Sequence, residues 1–304
     1  MNKSLVQGFT VTALAAALAA CGGSGSGGDD EATGTVSVGL TDAPVDDALE
    51  VNVTVTGVVL QPAGDGERRT FELDEPAYIN LLDLQNGDVE ALVTDEEVVA
   101  GEYSWMRLQL AEESIENFSV VLDNNGGEYA LGVPSGQQRG LQTSGFTVPA
   151  GGTVNFTIDF DVRKSLAYRS GPGDYLLRPT LRLVDNAEVG TLTGSVDSTT
   201  LSTECADAST FAGNVYIHSG ADVTPDDIGS GVEPLTVAPV DASTGENTFI
   251  AAFLPSGEYT VSYSCDLETQ DADGFAVDDD VTFVGTQNAT VNAGETTSVE
   301  IPAS

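Results

Sequence analysis

The only histidine among the 304 residues is His218. A Ser-His-Asp or Cys-His nucleophilic site would have to use it. Alternation places it on the polar side of a strand, two residues from Tyr216, and no G-x-S-x-G occurs. It therefore reads as an exposed strand histidine. A zinc site built on several histidines is excluded by arithmetic, and no phosphate-binding G-x-x-x-x-G-K-[ST] is present. Carboxylates are plentiful, with 48 Asp and Glu against 10 Lys and Arg. A pair of them would suit a glycosidase, but in such a chain pairs arise everywhere by chance.

Two charged clusters stand out. Asp271, Asp273, Asp278 and Asp280, with Gly274 after the second, mimic the later part of a calcium loop. The first ligand position falls on Thr269, the closing residue is Asp rather than Glu, and no flanking helices are predicted. A calcium ion on these four aspartates and a solvated acidic loop are the two readings; no other cofactor is expected. The second cluster is basic: Arg163, Lys164, Arg169, Arg178 and Arg182 are half of the chain's positive residues. They alternate with Asp159 and Asp161, and opposite charges on facing strands form structural ion pairs. Asp42, Asp159, Asp161, Arg163, Lys164 and Arg178 are the expected set. The alternative is an anion pocket, for an acidic sugar or a partner's carboxylates.

The thiols carry further chemistry. Phe9 to Ala20 is an apolar run, interrupted only by Thr10 and Thr12, behind Lys3. Twelve helical residues span about 18 Å, short of a ~30 Å hydrocarbon core, so residues 1–20 read as a signal peptide. Leu18-Ala19-Ala20-Cys21 resembles the bacterial lipobox, in which the thiol is acylated and Cys21 becomes the N-terminus. Acyl carbons contribute about 0.8 kcal/mol per buried CH₂, so this anchor is the predicted membrane contact. Gly22 after the cysteine leans toward the outer membrane; which face of it stays open. Cys205 and Cys265 then remain as a pair in an exported chain, and a disulfide is expected. Closing a loop of about 60 residues stabilises by roughly 4 kcal/mol in the chain-entropy treatment.

The elements that must hold these groups are strands. Residues 21–33 are a Gly-, Ser- and acid-rich tether; Gly23, Gly25 and Gly28 match G-x-G-x-x-G only formally, without strand or helix around them. Beyond it alternation dominates. Val36, Val38 and Leu40 share a face, as do Val51, Val53 and Val55. Val154, Phe156, Ile158, Phe160 and Val162 form the longest row, and Leu181 and Leu183 another. Val215 and Ile217 follow, then Tyr259, Val261, Tyr263 and Cys265, then a last strand over Thr297–Ile301. Many short strands with regular turns mean sandwiches or barrels, so the fold class is all-β, as two tandem sandwiches over 34–186 and 187–304. The boundary coincides with a composition break: no Lys or Arg follows Arg182. Gly-Glu-Tyr recurs at Gly101, Gly127 and Gly257, and Pro149-Ala150-Gly151-Gly152-Thr153 echoes Asn292-Ala293-Gly294-Glu295-Thr296.

Val38-Gly39-Leu40-Thr41-Asp42-Ala43-Pro44, Asp159-Phe160-Asp161-Val162-Arg163-Lys164-Ser165 and Leu177-Arg178-Pro179 resemble the bacterial lipoprotein family of domain of unknown function 4382. The resemblance covers about half of the chain. It implies a lipid-anchored β-sandwich and brings no assigned activity. Leu254-Pro255-Ser256-Gly257-Glu258-Tyr259-Thr260-Val261 is similar to the turn-to-strand signature of prealbumin-like and carboxypeptidase-regulatory-like sandwiches, with Val99-Ala100-Gly101-Glu102-Tyr103 as a degraded copy. Such a signature describes fold, not activity.

Charge narrows the function class. The formal charge is −38, and loss of Lys3 with the signal makes it −39. Nucleic acid is excluded as a partner, since phosphates need Lys and Arg, and so is docking on an anionic lipid surface. Such an acidic chain suits a salty, marine or halophilic medium, where screening shortens self-repulsion. The expectation is a non-catalytic, lipid-anchored envelope or surface protein that binds a protein or glycan. A purely structural envelope component and a carboxylate-dependent hydrolase are the alternatives. A deep pocket holding two carboxylates, one with a raised pKa, would favour the hydrolase.

Overall fold

The computed structural model describes residues 31–303 except 44–47, 123–126, 135–140, 170 and 268–280. The signal segment, Cys21, most of the tether and Asp271, Asp273, Asp278 and Asp280 lie outside the described residues. Residues 32–304 form one compact unit. Among the described residues no helix is long and apolar enough to cross a membrane.

The chain is all-β. Its first thirteen strands are β1 (Thr33–Ala43), β2 (Ala48–Pro62), β3 (Arg69–Asn80), β4 (Glu90–Val99), β5 (Gly101–Leu110), β6 (Ser119–Leu122), β7 (Glu128–Gly132), β8 (Leu141–Gln142), β9 (Phe146–Val148), β10 (Thr153–Asp161), β11 (Leu166–Arg169), β12 (Asp174–Leu177) and β13 (Leu181–Asp185). They build a four-stranded sheet in the order β13-β10-β1-β4 and a nine-stranded sheet running β11-β12-β7-β6-β2-β5-β8, with β3 on β2 and β9 on β5. Seven more strands follow: β14 (Val189–Val196), β15 (Asn214–Ser219), β16 (Thr236–Pro239), β17 (Thr248–Pro255), β18 (Gly257–Ser264), β19 (Val284–Val291) and β20 (Thr296–Ile301). These form sheets in the orders β17-β14-β20 and β16-β15-β18-β19. The turn between the two sets is local: Ala187 N–H donates to Asp185 Oδ1, and Glu188 N–H to the Asp185 carbonyl.

The expected rows of apolar residues bury as alternation requires. Val36, Val38, Leu40, Phe156, Ile158 and Phe160 sit in the first core, joined by Val51, Val53, Val55, Val58 and Leu60 from β2. Leu192, Val215, Ile217, Tyr259, Val261 and Tyr263 form the second. Cys205 and Cys265 are bonded at its rim, with Cα atoms 5.3 Å apart.

The two halves repeat one construction. β1 pairs parallel with β10, and β14 parallel with β20. The turn before each second strand holds a glycine with positive φ, Gly151 at 68° and Gly294 at 71°, a conformation that excludes most side chains. Gly151 N–H donates to the Thr33 carbonyl and Gly294 N–H to the Val189 carbonyl. Two of the three Gly-Glu-Tyr sequences also match: Tyr103 Oη donates to the Val99 carbonyl at 2.8 Å, and Tyr259 Oη to the Pro255 carbonyl at 2.6 Å. A buried Tyr that reaches back to upstream backbone is the tyrosine corner of β-sandwiches. The third, Tyr129, instead packs edge-on against Tyr175.

Two expectations are corrected. Val162 does not extend the β10 row as a strand residue. Asp161 caps a helical turn, Val162–Ser165, with Oδ1 accepting from Lys164 N–H, and the strand ends there. His218 is 1% exposed rather than on an open face. Residues 220–235 fold over that side of β15, where Ile228 packs with Tyr216 and Val237, so both faces of the strand are covered.

Candidate functional site

Basic and acidic groups expected to form ion pairs meet where the two sheet sets touch. β10 brings Asp159 and Asp161 to one face, because they are two residues apart on a strand. β13 runs beside it and pairs Arg182 with Asp159 in register. Arg182 Nη2 lies 2.6 Å from Asp159 Oδ2, and Nε donates to the same oxygen at 3.1 Å. Lys164, set by the helical turn, faces the later sheets: Nζ lies 3.0 Å from Glu233 Oε2 and donates to the Pro234 carbonyl at 3.0 Å. It also lies 3.9 Å from Asp161 Oδ2.

These groups line a cleft of about 350 Å³, together with Ser219 and Leu235. Beside Asp159, the Asp161 side chain is 18% exposed. Burial raises its pKa; Lys164, the capping amide and Arg163 oppose the rise, while Asp159 adds to it. Asp42, 7% exposed, accepts from Val162 N–H through Oδ1 at 3.2 Å and so ties β1 to the helical turn. Arg163 lines the same seam beside Ile228 and Val237. Arg178 follows β12 on an exposed segment, where its amide donates to the Ser165 carbonyl. Arg169 pairs away from the seam with Asp174, at 2.6 Å.

His218 stands behind this seam. Its Nε2 is 2.9 Å from the Asp226 carbonyl oxygen and 3.2 Å from the Asp226 amide nitrogen, and its ring meets Phe283 edge-on. Burial lowers its pKa, with Lys164 acting in the same direction. Among the described residues, no group of three or more His, Cys, Asp or Glu is placed to hold a metal ion.

Sequence reasoning missed the partner of Lys164. Glu233 lies 69 residues downstream in an irregular segment with no periodicity to read. The only available signal was the position of Lys164, the one lysine after the signal segment.

Comparison with known proteins finds a match to part of the chain. Residues 33–179 match the model of a domain of unknown function, DUF4382. The matched segment runs from β1 into the β12–β13 connection and contains Asp42, Asp159, Asp161, Arg163, Lys164 and Arg178, but neither Arg182 nor Glu233. No curated protein matches the chain. Among solved structures, a leucine-rich repeat protein from Bacteroides thetaiotaomicron is 15% identical over 89% of this chain, with a TM-score of 0.21. The chain spans only 26% of that protein's length. A putative carbohydrate binding protein from Pseudomonas aeruginosa is 16% identical, covers 38% of this chain and 90% of its own, and has a TM-score of 0.22. A minor pilin of Streptococcus agalactiae is 11% identical over 87% of this chain and 93% of its own, with a TM-score of 0.21. No role is carried across from them.

Proposed function

We propose that the chain is a lipid-anchored, non-catalytic module of the cell envelope that holds a protein or glycan partner. The lipobox-like Leu18-Ala19-Ala20-Cys21 and the Gly/Ser tether support the anchor. The observation that carries the non-catalytic part is the commitment of the cleft's charges to one another. Asp159 is held by Arg182, Asp161 gives an oxygen to the amide of Lys164, and Lys164 reaches across to Glu233. The seam fastens the two sandwiches, which work as one body.

One observation favours a second reading. The cleft contains three carboxylates, Asp159, Asp161 and Glu233, and burial raises the pKa of Asp161. That is the condition of a general acid in glycoside hydrolysis. Against it, the other two are paired, Asp159 with the Arg182 guanidinium at 2.6 Å and Glu233 with Lys164 at 3.0 Å, which suits neither a nucleophile nor a base. Full-length protein incubated with chromogenic glycosides at pH from about 4 to 7, where carboxyl acids operate, decides between them. No turnover above that of Asp161→Asn is expected. Hydrolysis that disappears in Asp161→Asn overturns the non-catalytic reading.

A further inference from the structure

A second group of cations lies on the outer face of the nine-stranded sheet, away from the seam. In β5, Met106 and Leu108 point into the core and are fully buried. Trp105 and Arg107 therefore face outward. Their register partners are Gln61 of β2 for Trp105 and Gln142 of β8 for Arg107. Trp105 is the only tryptophan in the chain. It sits half-buried on a sheet face, and two guanidinium groups lie over its ring: Arg107 at 4.2 Å from the centroid and Arg68 at 5.3 Å.

Each guanidinium is aimed by an amide. Arg107 Nη2 donates to Gln142 Oε1 at 3.0 Å, and Arg68 Nε donates to Gln61 Oε1 at 2.7 Å. Stacking on an aromatic face leaves the in-plane N–H edges of a guanidinium available to an anion. Two positive charges share one ring here, and Arg68 together with burial lowers the Arg107 pKa, burial being the larger cause. Two like charges over one ring repel at short range, and a bound anion would relieve that repulsion.

The surrounding backbone narrows the class of anion. β5 is hydrogen-bonded to β2 on one side and to β8 and β9 on the other, and β2 likewise has partners on both sides. A peptide that adds a strand needs an open edge, and the backbone of β5 around Trp105 and Arg107 offers none. A guanidinium pair beside an indole surface suits a sugar ring that bears a carboxylate. In a salty medium, long-range repulsion between two polyanions is screened while contact pairs persist.

We infer that the outer face around Arg68, Trp105 and Arg107 binds a carboxylate-bearing polysaccharide, with its uronate groups on the two guanidinium forks. Gln61 and Gln142 position those forks. This rests on reading the chain as a binding module, which the turnover assay tests separately.

The test is calorimetric titration of the full-length protein with hexagalacturonate, an uncharged galacto-oligosaccharide and poly-glutamate. Hexagalacturonate should bind, and the neutral oligosaccharide should bind about tenfold more weakly or worse, as loss of a bidentate carboxylate implies. Arg68→Gln and Arg107→Gln should each lose about tenfold, and Trp105→Phe should retain part of the affinity. Arg68 is exposed, so Arg68→Gln keeps the test valid if Arg107→Gln unfolds. Wild-type affinity in Arg68→Gln overturns the site. No binding of hexagalacturonate overturns the glycan, and so does poly-glutamate binding as tightly.

Discussion

His218 owes its state to residues that do not share its strand. The Asp226 backbone meets Nε2, Phe283 meets the ring, and Ile228 packs with neighbouring Tyr216. Burial holds the imidazole pKa below its usual value, with Lys164 adding to the effect and Asp226 and Val232 opposing it. Protonation is thus harder in the folded chain than in the unfolded one, where the pKa is about 6.5. Stability from this group is complete above the unfolded pKa and is lost as pH falls through the folded pKa. Urea unfolding in high salt, compared at about pH 7.5 and about pH 5, should show a larger loss for wild type than for His218→Gln. The gap should be about 1.4 kcal/mol for each unit separating the two pKa values. Parallel losses in the two proteins would contradict the assignment. Reading His218 as exposed failed because alternation reports which face of a strand is polar, not whether a later segment covers it.

Strands explain both what the sequence reveals and what it hides. Rows such as Val36-Val38-Leu40 and Tyr259-Val261-Tyr263 are legible because one face must leave water and side chains alternate. β2 is harder to read, since Asn52 and Thr54 are buried as well as the valines. On the covered face, Asn52 Nδ2 donates to Ser119 Oγ and Thr54 Oγ1 to the Asn117 carbonyl. The end of β10 is hidden for another reason: Val162 keeps the apolar spacing while the Asp161 cap turns the backbone. The seam is least legible, because Lys164 and Glu233 lie in different sheet sets and no local pattern joins them. Glycines mark the tightest approaches. In β14, a Cβ on Gly194 would lie 1.8 Å from the Val299 carbonyl oxygen and 2.7 Å from the Phe249 ring. That oxygen belongs to the neighbouring strand in the β14–β20 ladder and cannot withdraw without loosening it. Gly194→Ala should therefore destabilise by about 3 kcal/mol. Gly231→Ala, which meets nothing within 4 Å, should stay within about 0.5 kcal/mol. Equal urea midpoints for the two variants would show that β14 is not packed as described.

At the scale of the whole molecule, charge and covalent links set the context. The last 122 residues carry no Lys or Arg, so self-repulsion falls most heavily on the later sheets, where the Cys205–Cys265 bond lies. A loop of this length restricts the unfolded chain by about 4 kcal/mol, which offsets part of that repulsion. Across the seam, Lys164 places the one positive charge that reaches Glu233 among the described ion pairs. The proposed body is thus a pair of fastened sandwiches carrying a cationic, aromatic outer face and held to a membrane by Cys21. The anchor decides whether this is an envelope protein. Full-length protein and Cys21→Ser should be expressed side by side, partitioned between detergent and water, and their N-terminal peptides weighed by mass spectrometry. The account predicts wild type in the detergent phase, with a peptide that begins at Cys21 and carries acyl chains, and Cys21→Ser in the aqueous phase. An unmodified Cys21 in a wild-type protein that stays in water would contradict it.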